Sequence, residues 1–236
     1  MKSRLGVADA AAIGATYGSN STLTYITAAG FLTAIGHGVN GYMTVALVVM
    51  ETPAIILGVI LARAGMKTNS EKPTALVVRE ALTDGTLLVL VGSLGIGYLL
   101  TALGTEASPL AAFISGDMFT GMLIFFLLYM GTVVGHKVRE LESFPPVLVA
   151  FAIVAPIVNG LAAIALSWWF GFDHGDALLL AILCSSSSYI VAPAILKDTL
   201  PEANPAKYLT MSMGITFPLN IVIGIPAYWW IIGKVV

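Results

Sequence analysis

Two clusters of hydroxyl and amide side chains interrupt runs that are otherwise apolar: Gly18-Ser19-Asn20-Ser21-Thr22 and Ser185-Ser186-Ser187-Ser188-Tyr189. In hydrocarbon every backbone polar group needs an internal partner, so such a break is tolerated only where it faces protein or a wet cavity. A helix that stops and restarts exposes backbone N–H groups at the start of its second half, and the positive end of the dipole there favours anions. Ser19, Asn20, Ser21, Thr22, Ser186, Ser187 and Ser188 add side-chain donors at those points. Their hydroxyls and the freed carbonyls would equally suit sodium, a hard cation that prefers oxygen. The alternative is that the hydroxyls bond back to the preceding turn and only bend the helix.

The two clusters look like copies of one unit. Asp9 to Thr22 aligns with Asp176 to Tyr189 at a constant offset of 167, and an aspartate opens each segment. The next helix after each copy carries a proline, Glu51-Thr52-Pro53 and Thr216-Phe217-Pro218, at an offset of 165. Glu51 lies near the middle of its run, where a carboxylate costs roughly 2.5 kcal/mol or more unless paired or hydrated. Together with Thr52, and with Thr216 in the matching position, it forms the candidate ion-coupling set. A structural carboxylate bonded to freed backbone N–H groups is the competing reading. Asn159 and Asn220 read as interhelical amides, and Asp117 as a charge at a helix start.

The surroundings of these residues are those of a polytopic membrane protein. Of the 236 residues 58% are hydrophobic and 10% charged, against roughly 25% charged in soluble domains. The expectation is an all-α protein with seven spans near 9–33, 41–63, 83–103, 109–134, 147–169, 176–198 and 208–232. The first would be broken at 18–22 and the sixth at 185–193. A surface helix is expected over 74–82. One transmembrane domain covers 1–236, with 1–63 ending a first repeat, 64–82 a linker and 83–236 a second repeat. Met1-Lys2-Ser3-Arg4 before an apolar run imitates a secretory signal, but that run is interrupted and duplicated.

Basic residues set the orientation. They cluster at Lys2 and Arg4, at Arg63 to Arg79, at Lys137 and Arg139, and at Lys197 and Lys207, while 34–40, 104–108 and 170–175 carry none, and only Lys234 at the end breaks the alternation. Segments 64–82, 135–146 and 199–207 should therefore be cytoplasmic in a multi-pass plasma-membrane (inner-membrane) protein, with the C-terminus outside. Trp168, Trp169, Trp229 and Trp230 fall at outer span ends, as an aromatic belt. The two broken spans lie five apart, an odd number, so they cross in opposite directions: an inverted repeat, the architecture of alternating access. Three further spans before Met1 would complete the first repeat. The single cysteine, Cys184, excludes an internal disulfide framework and reads as a small buried residue. His37, His136 and His174 have no ligand spacing, and neither a cofactor nor a nucleic-acid partner is implied. No histidine lies at membrane depth and no GxSxG occurs, which argues against an intramembrane hydrolase.

Over its whole length the chain resembles the sodium-dependent bicarbonate transporter family first recognised in cyanobacteria. The resemblance rests on Gly18-Ser19-Asn20-Ser21-Thr22, on Met50-Glu51-Thr52-Pro53-Ala54, and on Ser186 to Pro218 with its Leu200-Pro201-Glu202-Ala203-Asn204-Pro205 loop. It implies ten spans in two inverted repeats of five, the fourth and ninth broken, in a homotrimer that carries bicarbonate inward with sodium as coupling ion. It implies anion or sodium contacts at Gly18, Ser19, Ser21, Thr22, Ser186, Ser187 and Ser188, with Glu51 in place of the usual aspartate. Cyanobacterial members read serine-aspartate-isoleucine-serine-glycine-proline where this chain has Ser188 to Pro193, so an acid and a hydroxyl are absent here. Those members carry a longer loop that binds a PII-like regulatory protein. The readings left open are a different small anion, and a non-transporting membrane scaffold or sensor.

Overall fold

A computed structural model describes residues 5–66, 79, 83, 85–104, 117–140 and 144–236. Every regular element among them is helical. The first apolar segment forms α1 (Val7–Gly18) and α2 (Thr22–Ala34), then α3 (Gly41–Met66) follows. Next come α4 (Gly85–Ala102), α5 (Asp117–Glu140) and α6 (Pro146–Phe170). The second interrupted segment is α7 (His174–Ser185) and α8 (Val191–Thr199), and α9 (Pro205–Val235) closes the chain.

Gly41–Gly58, Pro146–Phe170 and Pro205–Val235 are long and apolar enough to cross a membrane. The interrupted segments do not qualify as single helices, for the reason anticipated: both stop at their serines. Helix α5 runs six residues past the expected 134, because helical hydrogen bonding continues into the polar flank beyond the apolar stretch. Its Thr132 carbonyl bonds His136 Nδ1 at 2.8 Å. The expected surface helix over 74–82, the start of the 109–134 span, and most of the 64–82 linker lie outside the described residues.

Two apolar clusters sit either side of a polar waist. One joins α1 (Ala12, Ile13) and α8 (Ala192, Leu196) to the starts of α6 (Leu148, Ala152) and α9 (Tyr208, Met211). The other joins α2 (Ala28, Leu32) and α7 (Leu178, Ile182) to the start of α3 (Met43, Leu47) and the ends of α6 (Ile164) and α9 (Tyr228, Ile232). The α1–α2 segment thus passes from the first cluster to the second, and α7–α8 from the second to the first. The two interrupted segments run in opposite senses. Between them, first halves pack on second halves: α2 on α7, and α1 on α8.

Small residues let α1 and α3 approach closely. A Cβ on Gly58 would lie 2.5 Å from Ala15 Cβ and 3.1 Å from its Cα, and one on Gly18 would lie 2.8 Å from Ala54 Cβ. Backbone contact of this kind is how helices associate in lipid, where apolar burial gives little advantage. Helix α6 ends in a left-handed glycine, Gly171 at φ 70°, which turns the chain into the Asp173 cap of α7. Because the Ala15 backbone cannot yield, Gly58→Val is expected to cost roughly 1–3 kcal/mol. The check is a clear fall in melting temperature in detergent, with Gly14→Ala, whose Cβ meets nothing, as the neutral control.

Candidate functional site

The waist is built from the two interruptions. Ser19 and Ser186 follow the last helical residue of α1 and of α7 in nearly the same extended conformation, φ −89° ψ 171° and φ −78° ψ 172°. Two residues on in each segment, a serine oxygen accepts from an N–H in the first turn of the second half-helix, Ser21 as the N-cap and Ser188 from two residues before the N-cap. Ser21 Oγ accepts from Thr24 N at 3.2 Å, and Ser188 Oγ accepts from Ala192 N at 3.0 Å. A capping oxygen satisfies one of the exposed N–H groups of a helix start and leaves the others for solvent or a ligand.

The copies also hold each other. Ser21 N donates to Ser186 Oγ at 3.0 Å, and Ser188 N donates to the Thr16 carbonyl at 2.9 Å. Each break therefore satisfies part of the other's backbone, the accounting that an apolar environment demands. The flanking full helices complete it. Ser19 Oγ donates to the Glu51 carbonyl at 2.9 Å, Asn20 Nδ2 to the Leu47 carbonyl at 2.9 Å, and Asn220 Nδ2 to the Ser185 carbonyl at 2.9 Å. Thr216 donates to the Ala152 carbonyl at 2.8 Å and pairs with the Tyr17 hydroxyl at 2.7 Å.

A cavity of about 260 Å³ opens at the waist, lined by Asn20, Ser21, Thr22 and Leu23 from the first interruption and the start of α2. Ser188 to Val191 from the second interruption, Glu51 of α3 and Val89 of α4 complete it. The first turns of both second half-helices thus face one space. Glu51 is 1% exposed. Asn20 is 2% exposed, and its Oδ1 has no hydrogen-bond partner among the described residues; the same holds for Ser187 Oγ. The Tyr189 ring stacks edge-on against Phe217 at 5.1 Å.

Of the residues expected from sequence, Asn20, Ser21, Thr22, Ser188 and Glu51 line this cavity. Gly18, Ser19, Ser186, Ser187 and Thr216 do not: Gly18 packs on Ala54, and Ser19, Ser186 and Thr216 tie backbone together. Thr52 lies within α3, but its side chain is outside the described residues, as is that of Asp117 at the start of α5. Asn220 is interhelical as expected. Asn159 is not: it faces outward in a shallow apolar groove with Phe151, Val154 and Val158. Helical spacing explains this, since Pro156, Gly160 and Ala163 occupy the buried face of α6. Trp168, Trp169 and Trp230 are exposed, whereas Trp229 packs against Phe31, His37 and His174.

Tyr189 and Tyr17 were not among the expected site residues, though each aromatic adjoins a hydroxyl cluster in the sequence. The two π-helical stretches of α9, Thr210–Thr216 and Asn220–Gly224, were also not anticipated. They flank Pro218, whose missing N–H is the readable signal.

The sequence profile of the Na+-dependent bicarbonate transporter superfamily matches residues 1–233. The chain belongs to that superfamily. A transporter family rather than an enzyme family therefore accounts for this all-helical membrane protein and its internal polar waist. No curated protein matches the chain.

The buried amide of Asn220 makes a stability test possible. Asn220→Leu removes the donor to the Ser185 carbonyl and is expected to cost about 1–3 kcal/mol, the penalty of a buried carbonyl left unpaired. Asn159→Leu, on the outward face, is expected to leave the melting temperature in detergent unchanged or raised.

Proposed function

We propose that this chain is the core of a sodium-coupled symporter that takes up bicarbonate by alternating access, holding the anion where α2 and α8 begin. The observation that carries the reading is that both helix starts line one cavity beside the buried Glu51, although in α8 the Ala192 N–H is spent on Ser188 Oγ and Pro193 has none.

Magnitudes favour coupling to a cation. A helix N-terminus contributes up to about 2 kcal/mol to a partly buried anion, so two ends supply roughly 4. Desolvating an anion costs several kcal/mol even after relaxation. Dipoles alone do not close that gap. A sodium ion in the same cavity does, by pairing with the substrate. Asn20 Oδ1, buried and without a hydrogen bond among the described residues, is an oxygen ligand of the kind a hard cation takes. The hydroxyls of Ser21, Thr22 and Ser188 complete the candidate set. Thr216, spent on the Ala152 carbonyl and Tyr17, supports the site from behind.

The opposite senses of α1–α2 and α7–α8 support an inverted repeat within seven spans. The tryptophans at the ends of α6 and α9, on the side of the second cluster, support placing that side outside the cell. Lys197 and Lys207 on the other side agree with it. Homotrimer formation and a PII-like regulator rest on the resemblance alone.

The test is uptake of labelled bicarbonate into proteoliposomes under an imposed sodium gradient. Glu51→Gln is expected to lower sodium-driven uptake at least tenfold, and Asn20→Ala to raise the sodium concentration needed for half-maximal rate. Uptake that is indifferent to sodium in the native protein, or undiminished in Glu51→Gln, would remove the coupling site assigned here.

A further inference from the structure

We infer that Asp9 and Asp176 are paired positioning residues. Each clasps the first turn of one interrupted segment to the neighbourhood where the following full helix of the other copy begins, and together they set how the two interruptions meet. The inference rests on the reading that the interruptions form the substrate site.

Asp9 is the third residue of α1 and Asp176 the third residue of α7. An acid in a first turn commonly only complements the helix dipole. These two are committed elsewhere. Asp9 Oδ1 accepts from Asn204 N at 2.8 Å, and its Oδ2 is ion-paired with Lys207 Nζ. Asp176 Oδ2 accepts from Asn40 Nδ2 at 2.9 Å and from the Tyr42 hydroxyl. All four donors belong to the opposite copy: Asn204 and Lys207 at the start of α9, Asn40 and Tyr42 at the start of α3.

The partners are themselves matched. Lys207 stands 165 residues after Tyr42, the separation of Pro218 from Pro53, while Asp176 stands 167 after Asp9, the separation of Ser186 from Ser19. A carboxylate and its donor have thus kept register across the duplication, on opposite faces of the molecule. Side-chain exposure fits a fixed contact, since Asp176 is 2% exposed and the Asp9 side chain 12%.

The lever arms are equal as well. Ten residues separate Asp9 from Ser19 and Asp176 from Ser186, about 15 Å of rigid helix at 1.5 Å per residue. A tilt of about 5° at either clasp would shift its interruption by roughly 1.3 Å along that arm. A displacement of about 1 Å is the scale at which binding geometry is lost. The clasps differ in chemistry: one is an ion pair with a lysine, the other a carboxylate held by a phenol and an amide. The donors facing Asp176 carry no charge, and Asp173 and His174 lie beside it on the same helix end.

The experiment uses the full chain in detergent without substrate, so its outcome does not depend on transport. Cys184, the only cysteine of the chain, sits one residue before the end of α7 and reports on the waist through its rate of modification by a methanethiosulfonate reagent. Tyr42→Phe with Asn40→Ala is expected to raise that rate at least threefold. Asp9→Asn, on the far face and in the other copy, is expected to raise it too, through the Ser21–Ser186 and Thr16–Ser188 bonds. Asp9→Asn and Lys207→Met should each lower the melting temperature by a few degrees, roughly 2–4 °C for a chain of this size. Together they should be no worse than the poorer single variant, and the exchanged pair Asp9→Lys with Lys207→Asp should recover at least half of the loss. Unchanged Cys184 reactivity in Asp9→Asn, or additive losses in the Asp9–Lys207 pair, would overturn the inference. A native protein that keeps these couplings but moves no bicarbonate would instead overturn the transport reading alone.

Discussion

The organising constraint is that a helix interrupted in an apolar setting leaves N–H and C=O groups that water cannot reach. An unpaired group of this kind costs several kcal/mol, comparable to the whole stability of many proteins. Nearly every contact at the waist answers it. The two interruptions bond each other, Ser19 and Asn20 reach the carbonyls of α3, and Asn220 reaches back from α9. The apolar clusters on either side are the consequence, since α1 and α8 must lie together, and α2 and α7 must lie together, for those bonds to form. The first residues of α2 and α8 line one cavity at this waist, where the proposed site lies.

The two halves differ in how their full helices serve the waist. Helix α3 brings a carboxylate, Glu51, to the cavity wall and a carbonyl to Ser19. Helix α9 brings no acid. Around Pro218 it widens into π-helical turns, and Thr216 and Asn220 project from them to bond α6 and α7. Gly224 leaves room for this, because a Cβ there would come within 2.8 Å of Asn220 Oδ1. One copy thus contributes charge, and the other contributes bracing.

Much of this was legible in the sequence because the signals are local. Serine runs inside apolar stretches mark both interruptions within a residue or two, and the constant offset pairs their residues one to one. Glu51 stood out because a carboxylate at mid-span is expensive. Division of labour among the hydroxyls was not legible. Ser186 and Ser188 look alike in the sequence, yet one bonds the Ser21 amide and the other accepts from the Ala192 N–H and lines the cavity. That difference depends on the crossing of two segments some 165 residues apart, which no local pattern encodes. Asn159 was misread for a related reason: an amide in an apolar helix has no direction until the face of that helix is known. The π-helical turns escaped because Pro218 announces a disturbance and not its form.

The reciprocal bonding at the waist also bears on the order of synthesis. Ser21 N and the Thr16 carbonyl leave the ribosome long before Ser186 and Ser188, the groups that satisfy them. Until then α1 and α2 have α3 beside them but lack these two backbone partners and the helices of the second half. A nascent chain of this kind has to shelter its first interruption in water or in the insertion machinery through most of translation. Final docking therefore belongs after the second interruption has been made, which makes late truncations more damaging than their length suggests.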